Sequence, residues 1–224
     1  MTERVSFSTK SGATASGELV LPPGNGKAPA VVLVQEWWGL NDHIRSLIER
    51  LAAAGFVALA PDLFHGKTTK DAAEAGRLMQ ELDKANAVQE IGGAVRYLET
   101  HPRSSGKVGI IGFCLGGALT FAAAANIPEL AAAVPFYGLP GPVDWSMTNA
   151  VIQAHFAKRD DWAKASSAEA IKKELEKLGK SMELHVYDAD HAFVNDTRPE
   201  VYSEPNAKLA WDRAIEFLRK HLAA

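Results

Sequence analysis

The stretch Lys107-Val108-Gly109-Ile110-Ile111-Gly112-Phe113-Cys114-Leu115-Gly116-Gly117-Ala118 decides the reading of this chain. From Lys107 to Phe113 it is almost continuously apolar, the pattern of a strand buried on both faces of a parallel sheet. It then passes directly into Cys114-Leu115-Gly116-Gly117 and an alanine-rich helical segment. Strand, sharp turn and helix follow one another with the form G-x-nucleophile-x-G, which requires that context. Glycines two positions either side of Cys114 remove side chains that would collide in such a tight turn. The turn aims the cysteine at a helix N-terminus, where free N–H groups favour a thiolate or an oxyanion. The plainer alternative is a buried structural cysteine in a βα turn.

Outward from this elbow the same alternation continues. Towards the N-terminus, Arg4–Thr9 and Ala15–Leu21 are β-rich, and Ala30–Val34 and Phe56–Ala60 are short apolar strands. Ile44, Leu47, Ile48 and Leu51 stand at i, i+3, i+4 and i+7 of a helix that Asn41 or Asp42 can cap and Gly55 can end. Two helices are expected over Asp71–Asp83 and Ala87–Thr100. Beyond the elbow, Ala131–Phe136, Ala150–Phe156 and Met182–Tyr187 read as strands, and Ser167–Leu178 and Pro205–Leu222 as helices. Strands alternating with helices predict an α/β fold with a mostly parallel central sheet and helices on both faces. With 224 residues and no repeat or long linker, one domain over residues 1–224 is the economical expectation.

Composition narrows the function classes. Apolar residues make up 47% and charged residues 23%, ordinary for a globular protein with a large core. A net charge of −3 gives no reason to expect nucleic acid or an anionic membrane as partner. The single cysteine rules out an internal disulfide or a thiolate metal cluster. MTERVSFSTK at the start lacks an apolar signal core, and no apolar run approaches the ~20 residues of a spanning helix. A cytoplasmic monomer without metal or organic cofactor is expected. The glycine patterns give no nucleotide site, since the elbow is not G-x-G-x-x-G.

An elbow nucleophile needs an acid and then a histidine further along the chain. Of the histidines beyond Cys114, His155 and His185 fall inside strand-like runs and His221 in the last turn of the final helix. His191 instead follows a strand in the loop after Tyr187-Asp188-Ala189-Asp190, where α/β sites assemble, so it is the expected base. Asp160 and Asp161, after the strand ending near Phe156, are both placed to orient it. Asp144, Asp188 and Asp190 are weaker candidates.

Four blocks together resemble the dienelactone hydrolase family of α/β-hydrolases, the carboxymethylenebutenolidase-like enzymes. They are Val34–Asn41 (VQEWWGLN), Ala60–Leu63 (APDL), Gly112–Ala118 (GFCLGGA) and His191–Phe193 (HAF). The resemblance runs over nearly the whole chain. It implies a triad of Cys114, His191 and Asp160, with Ala163 and Lys164 departing from the family's pattern after the aspartate. It implies that Glu36 pairs with the resting cysteine and helps form the thiolate, and that the backbone N–H groups of Trp37 and Leu115 hold the oxyanion. The implied activity is cleavage of a small ester or lactone through a thioester acyl-enzyme, without cofactor. The arginine that follows the catalytic histidine in dienelactone-hydrolysing members is Asn195 here, with Arg198 and Arg77 nearby, which points away from dienelactone itself. Trp37, Trp38, Phe64, Tyr137, Trp145 and Phe193 are candidates to line an apolar pocket. The competing readings are a hydrolase of another bond, such as a thioesterase or peptidase, and a ligand-binding protein with an inert cysteine on the same fold.

Overall fold

A computed structural model describes residues 2–223. In chain order the elements are β1 (Thr2–Ser8), β2 (Thr14–Val20), β3 (Ala28–Val34), α1 (Asp42–Ala53), β4 (Val57–Pro61), α2 (Ala72–Glu81) and α3 (Lys84–Thr100). They continue with β5 (Ser104–Phe113), α4 (Leu115–Asn126), β6 (Leu130–Phe136), β7 (Val151–Arg159), α5 (Ala165–Lys177), β8 (Met182–Asp190) and α6 (Glu204–Leu222). The strands form one sheet in the order β1-β2-β4-β3-β5-β6-β7-β8. From β4 to β8 every pairing is parallel, whereas β1 and β2 form a hairpin that joins β4 antiparallel. This is the α/β architecture expected from the alternation of apolar runs and helices.

Side chains of the central strands alternate between two cores. Val32 and Val34 of β3 and Ile110 of β5 enter one, packed by Ile91 and Leu98 of α3, Phe121 of α4 and Leu175 of α5. Val31 and Leu33 of β3 and Ile111 and Phe113 of β5 enter the other, under Ile44 and Leu47 of α1 and Leu218 of α6. Each such fully buried aliphatic side chain contributes about 1.5–3 kcal/mol, so strands apolar on both faces are stable only between two helical layers. The helix starts are set locally. Asn41, not Asp42, caps α1 by accepting the Ile44 N–H, Asp71 caps α2, and Asp83 caps α3 by accepting from Ala85 and Asn86. The Asp83 cap starts α3 one turn before the predicted Ala87. No helix among the described residues is long and apolar enough to cross a membrane.

Two strands outrun their predicted ends. β7 continues to Arg159 and β8 to Asp190, through charged residues that the apolar pattern did not include. Cross-strand pairing accounts for it: the Arg159 guanidinium binds Asp188 and lies 3.1 Å from Asp190, an exchange of side-chain contacts that favours adjacent strands.

Candidate active site

Four loops leave the C-terminal ends of parallel strands and meet above the sheet. Glu36 follows β3, Cys114 follows β5, Asp160 follows β7 and His191 follows β8. Ligands of open parallel sheets bind at this edge.

Cys114 occupies the turn between β5 and α4 with φ 55° and ψ −115°. A side chain there is strained by about 1–3 kcal/mol, and such residues collect at functional sites. Tyr137 and Ala192, both close to the same loops, also have positive φ. The flanking glycines are required by close approach. A Cβ on Gly112 would stand 2.3 Å from the Gly116 carbonyl oxygen, and one on Gly116 would stand 2.3 Å from that of Val34. The backbone N–H groups of Leu115 and Trp37 act on the thiol as favourable dipoles. They favour the thiolate, but burial, the charge of Glu36 and that of Asp160 act against it and raise the thiol far above its ordinary value.

His191 Nδ1 lies 2.6 Å from Asp160 Oδ2. The other carboxylate oxygen of Asp160 accepts the N–H groups of Trp162 and Ala163, at 2.9 and 2.8 Å. Asp160 is thus fixed from both sides, and Asp161, next to it, is exposed and makes no such bond to His191. Asp188 and Asp190 are engaged by Arg159, and Asp144 caps its own turn at Ser146. His155 is enclosed in the sheet between Tyr187 and Gln153. His185, beside it, and His221, near the end of α6, stand apart from the loop site.

Glu36 is buried, and its Oε2 accepts a 2.6 Å hydrogen bond from Asn195 Nδ2. The Asn195 amide is oriented by Thr197, whose N–H and hydroxyl both donate to Asn195 Oδ1. Burial raises the Glu36 carboxyl above the ordinary range, opposed by His43, Asn195, His191 and Arg198. Asn195 therefore holds Glu36, a role that the sequence did not disclose.

Cys114, His191, Asp160 and Glu36 line one cavity of about 360 Å³. Trp37, Trp38, Met79 and Trp162 supply its apolar wall, with Arg159 and Arg198 as its cations. A larger groove of about 750 Å³ meets it at Met79 and Trp162 but contains none of those four groups. Four of the expected aromatic contacts lie outside the cavity lining. Tyr137 and Phe193 are fully buried, outside the cavity lining, with their rings packed on each other at 5.5 Å and Tyr137 against the back of His191. An aromatic directly after a strand can turn either to the cleft or into the core, and here both fill the core. The Leu115 side chain likewise lines the larger groove instead. Phe64 and Trp145 also belong to the core. Arg77 is bound on the surface to Glu74 and Glu81 of its own helix and is absent from the cavity. Met79, Arg159 and Trp162 were not foreseen there.

Residues 16–222 match the model of the dienelactone hydrolase family. The chain belongs to that family. Among relatives of this dienelactone hydrolase-family chain, a protein of Aquifex aeolicus named "Putative carboxymethylenebutenolidase" is 34% identical over 95% of this chain and 96% of its own length. A Bradyrhizobium protein named "Probable 2-oxo-3-(5-oxofuran-2-ylidene)propanoate lactonase" is 32% identical, over 91% of this chain and 88% of its own. A crystal structure from Klebsiella pneumoniae, named "Putative Dienelactone Hydrolase", superposes with a TM-score of 0.86 at 27% identity, covering 98% of this chain and 99% of that one. The chain is accordingly a hydrolase of dienelactone hydrolase type.

Proposed function

We propose that this protein hydrolyses small esters or lactones, with Cys114 as nucleophile, His191 as acid and base, Asp160 as the group that orients His191, and Glu36 as the acceptor of the thiol proton. One observation carries the reading: a strained cysteine at a helix N-terminus opens into the same cavity as a histidine tied to a buried aspartate. When substrate enters, its carbonyl oxygen takes over the N–H groups of Trp37 and Leu115. Cys114 passes its proton to Glu36 and its sulfur adds to the carbonyl carbon. His191, which enters the cycle as the imidazolium and is returned to it by the later water step, protonates the departing alkoxide, leaving a thioester. Neutral His191 then takes a proton from water, whose oxygen attacks the thioester. The thiolate leaves and recovers its proton from Glu36. Asp160 keeps the Nδ1 hydrogen in place and balances the imidazolium. No step calls for a metal or an organic cofactor.

The cavity volume lies in the range of small-molecule sites. Both cavity arginines are engaged, Arg159 by Asp188 and Asp190 and Arg198 by the exposed Glu200, so a carboxylate on the substrate would compete with Glu200 for Arg198. The Bradyrhizobium relative is named for a furanone lactone carrying a carboxylate, which suits that chemistry. The test is turnover of dienelactone and of 4-nitrophenyl acetate by purified protein beside Cys114→Ala. Hydrolysis of either that vanishes in the variant is expected. Turnover that survives Cys114→Ala, or none on either substrate, would overturn the assignment.

A further inference from the structure

The groove of about 750 Å³ that meets the catalytic cavity at Met79 and Trp162 takes no part in the hydrolytic steps. It is bordered by Val88 and Gly92 of α3 and by Leu115, Ala118, Leu119 and Ala122 of α4. The trough is therefore apolar, and Gly92, Ala118 and Ala122 keep it open because their side chains are small. Leu115 directly follows Cys114, and Asn126, also in the lining, closes α4 at its other end. At about 1.5 Å per helical residue this is a run of roughly 16 Å, and it starts at the proposed nucleophile. Trp162 stands half exposed at the junction and offers apolar surface to a chain leaving the cavity.

The far end of the trough is cationic. A Cβ on Gly92 would stand 3.3 Å from Arg96 Nη1 and 3.6 Å from Ile127 Cδ1. The Arg96 guanidinium thus lies over the glycine, beside the residue that follows α4. Arg96 is part-buried, and its Nη2 is buried with no hydrogen-bond partner among the described residues. A guanidinium only donates, and a buried donor left unbound is unfavourable until a partner completes it. Lys10 and Lys84 also border the groove, against the one carboxylate of Glu129 among the described lining residues. Three cations facing one anion suit an acidic ligand, and the planar fork of Arg96 suits a carboxylate. The two arginines of the catalytic cavity, by contrast, are already ion-paired.

We propose that this groove is an acyl subsite for esters of long straight-chain acids whose far end carries a second carboxylate, and that Arg96 binds that carboxylate. The scissile carbonyl sits at Cys114, the chain passes Trp162 and Met79 and lies along α4, and the terminal carboxylate reaches Arg96. The acyl part occupies the groove because the groove starts at Leu115, next to the sulfur that carries the acyl group in the thioester. The covalent steps are those of the hydrolytic cycle: the alcohol leaves with a proton from His191, and water releases the dicarboxylic acid from Cys114.

The inference rests on the proposed ester hydrolysis at Cys114, and its test is separable from that reading. In the full chain, kcat/KM is compared for 4-nitrophenyl monoesters of dicarboxylic acids, from butanedioic to hexadecanedioic, each beside the methyl-ended ester of the same length. The preference for the carboxylate-ended ester is expected to grow with length to about tenfold, the scale of one hydrogen bond to a charged group, and to reside in KM. Arg96→Gln should remove that preference for the long pair. Ala122→Phe narrows the trough at a part-buried position, and should lower kcat/KM for both long esters relative to 4-nitrophenyl acetate even if the Arg96 variant fails to fold. Calorimetry of hexadecanedioate binding to Cys114→Ala reads the groove without turnover, and adding Arg96→Gln should weaken that binding about tenfold. A preference that does not grow with length, or one unmoved in folded Arg96→Gln, overturns the subsite, as does an unchanged long-to-short ratio in folded Ala122→Phe. Turnover that survives Cys114→Ala would instead overturn the hydrolytic reading, and the calorimetry would still decide whether the groove binds the diacid.

Discussion

Asp160 faces His191 across 2.6 Å with one carboxylate oxygen while the backbone of Trp162 and Ala163 grips the other. The imidazole is thereby held by a group that cannot rotate away, and its Nδ1 hydrogen is fixed so that Nε2 is the nitrogen left for chemistry. Asp160→Asn replaces the acceptor with an amide that can present N–H to Nδ1. The expected loss in kcat is roughly 10²- to 10⁴-fold with KM little changed. Asp161→Asn should stay within about twofold of wild type, since Asp161 makes no bond to the ring. Ester hydrolysis by the two variants side by side decides which aspartate serves.

Cys114 is held at φ 55°, a backbone angle that glycine adopts freely and residues with a Cβ do not. Cys114→Ala and Cys114→Gly both lack the thiol, but only glycine relieves the backbone. The glycine variant should be more stable than the alanine variant by about 1–3 kcal/mol, with Tm higher by about 2–4 °C for each kcal/mol. Equal melting temperatures would mean that the elbow stores no strain.

Glu36 has its carboxyl raised by burial. Above the ordinary carboxylate range the native protein therefore binds more protons than the unfolded chain, and stability falls as pH rises through that window. Glu36→Gln removes this slope while the glutamine can still accept from Asn195. Its Tm should exceed that of wild type at pH 8 and converge with it towards pH 4. Melting curves across that range check the sign.

Trp162 is half exposed, lines the cavity and sets its ring edge-on to His191 at 5.1 Å. Trp162→Ala should raise KM for aromatic esters about tenfold, the scale of one lost aromatic contact, with a smaller effect on acetyl esters of aliphatic alcohols. A uniform fall in kcat instead would show that the indole acts through His191 rather than on substrate.

The apolar runs at Ala30–Val34, Phe56–Ala60 and Lys107–Phe113 were legible because strands buried on both faces leave no polar position. Cys114 was legible because it follows directly on such a strand, and His191 because it follows the charged extension of the alternating strand β8. What the residues did not disclose depends on side-chain direction and on partners distant in the chain. Arg159 sits beside the cavity only because Asp188 and Asp190 extend the β7–β8 pairing. Tyr137 and Phe193 read as cleft aromatics, yet the space behind His191 drew both inward. Asn195 drew notice only as a departure from the resembling family's arginine, and its bond to Glu36 gave no signal, because the two lie 159 residues apart.

The strand that delivers His191 pairs with β7 alone and ends the sheet. Marginal strands open at lower free energy than central ones. Cys114 is carried by β5, deep between neighbours on both sides. The proposed nucleophile and base thus reside in regions of unequal cooperativity, and partial fraying at one rim would separate them while the interior stayed folded. Catalytic endurance is bounded by the tenacity of that outermost ladder, not by the melting of the whole.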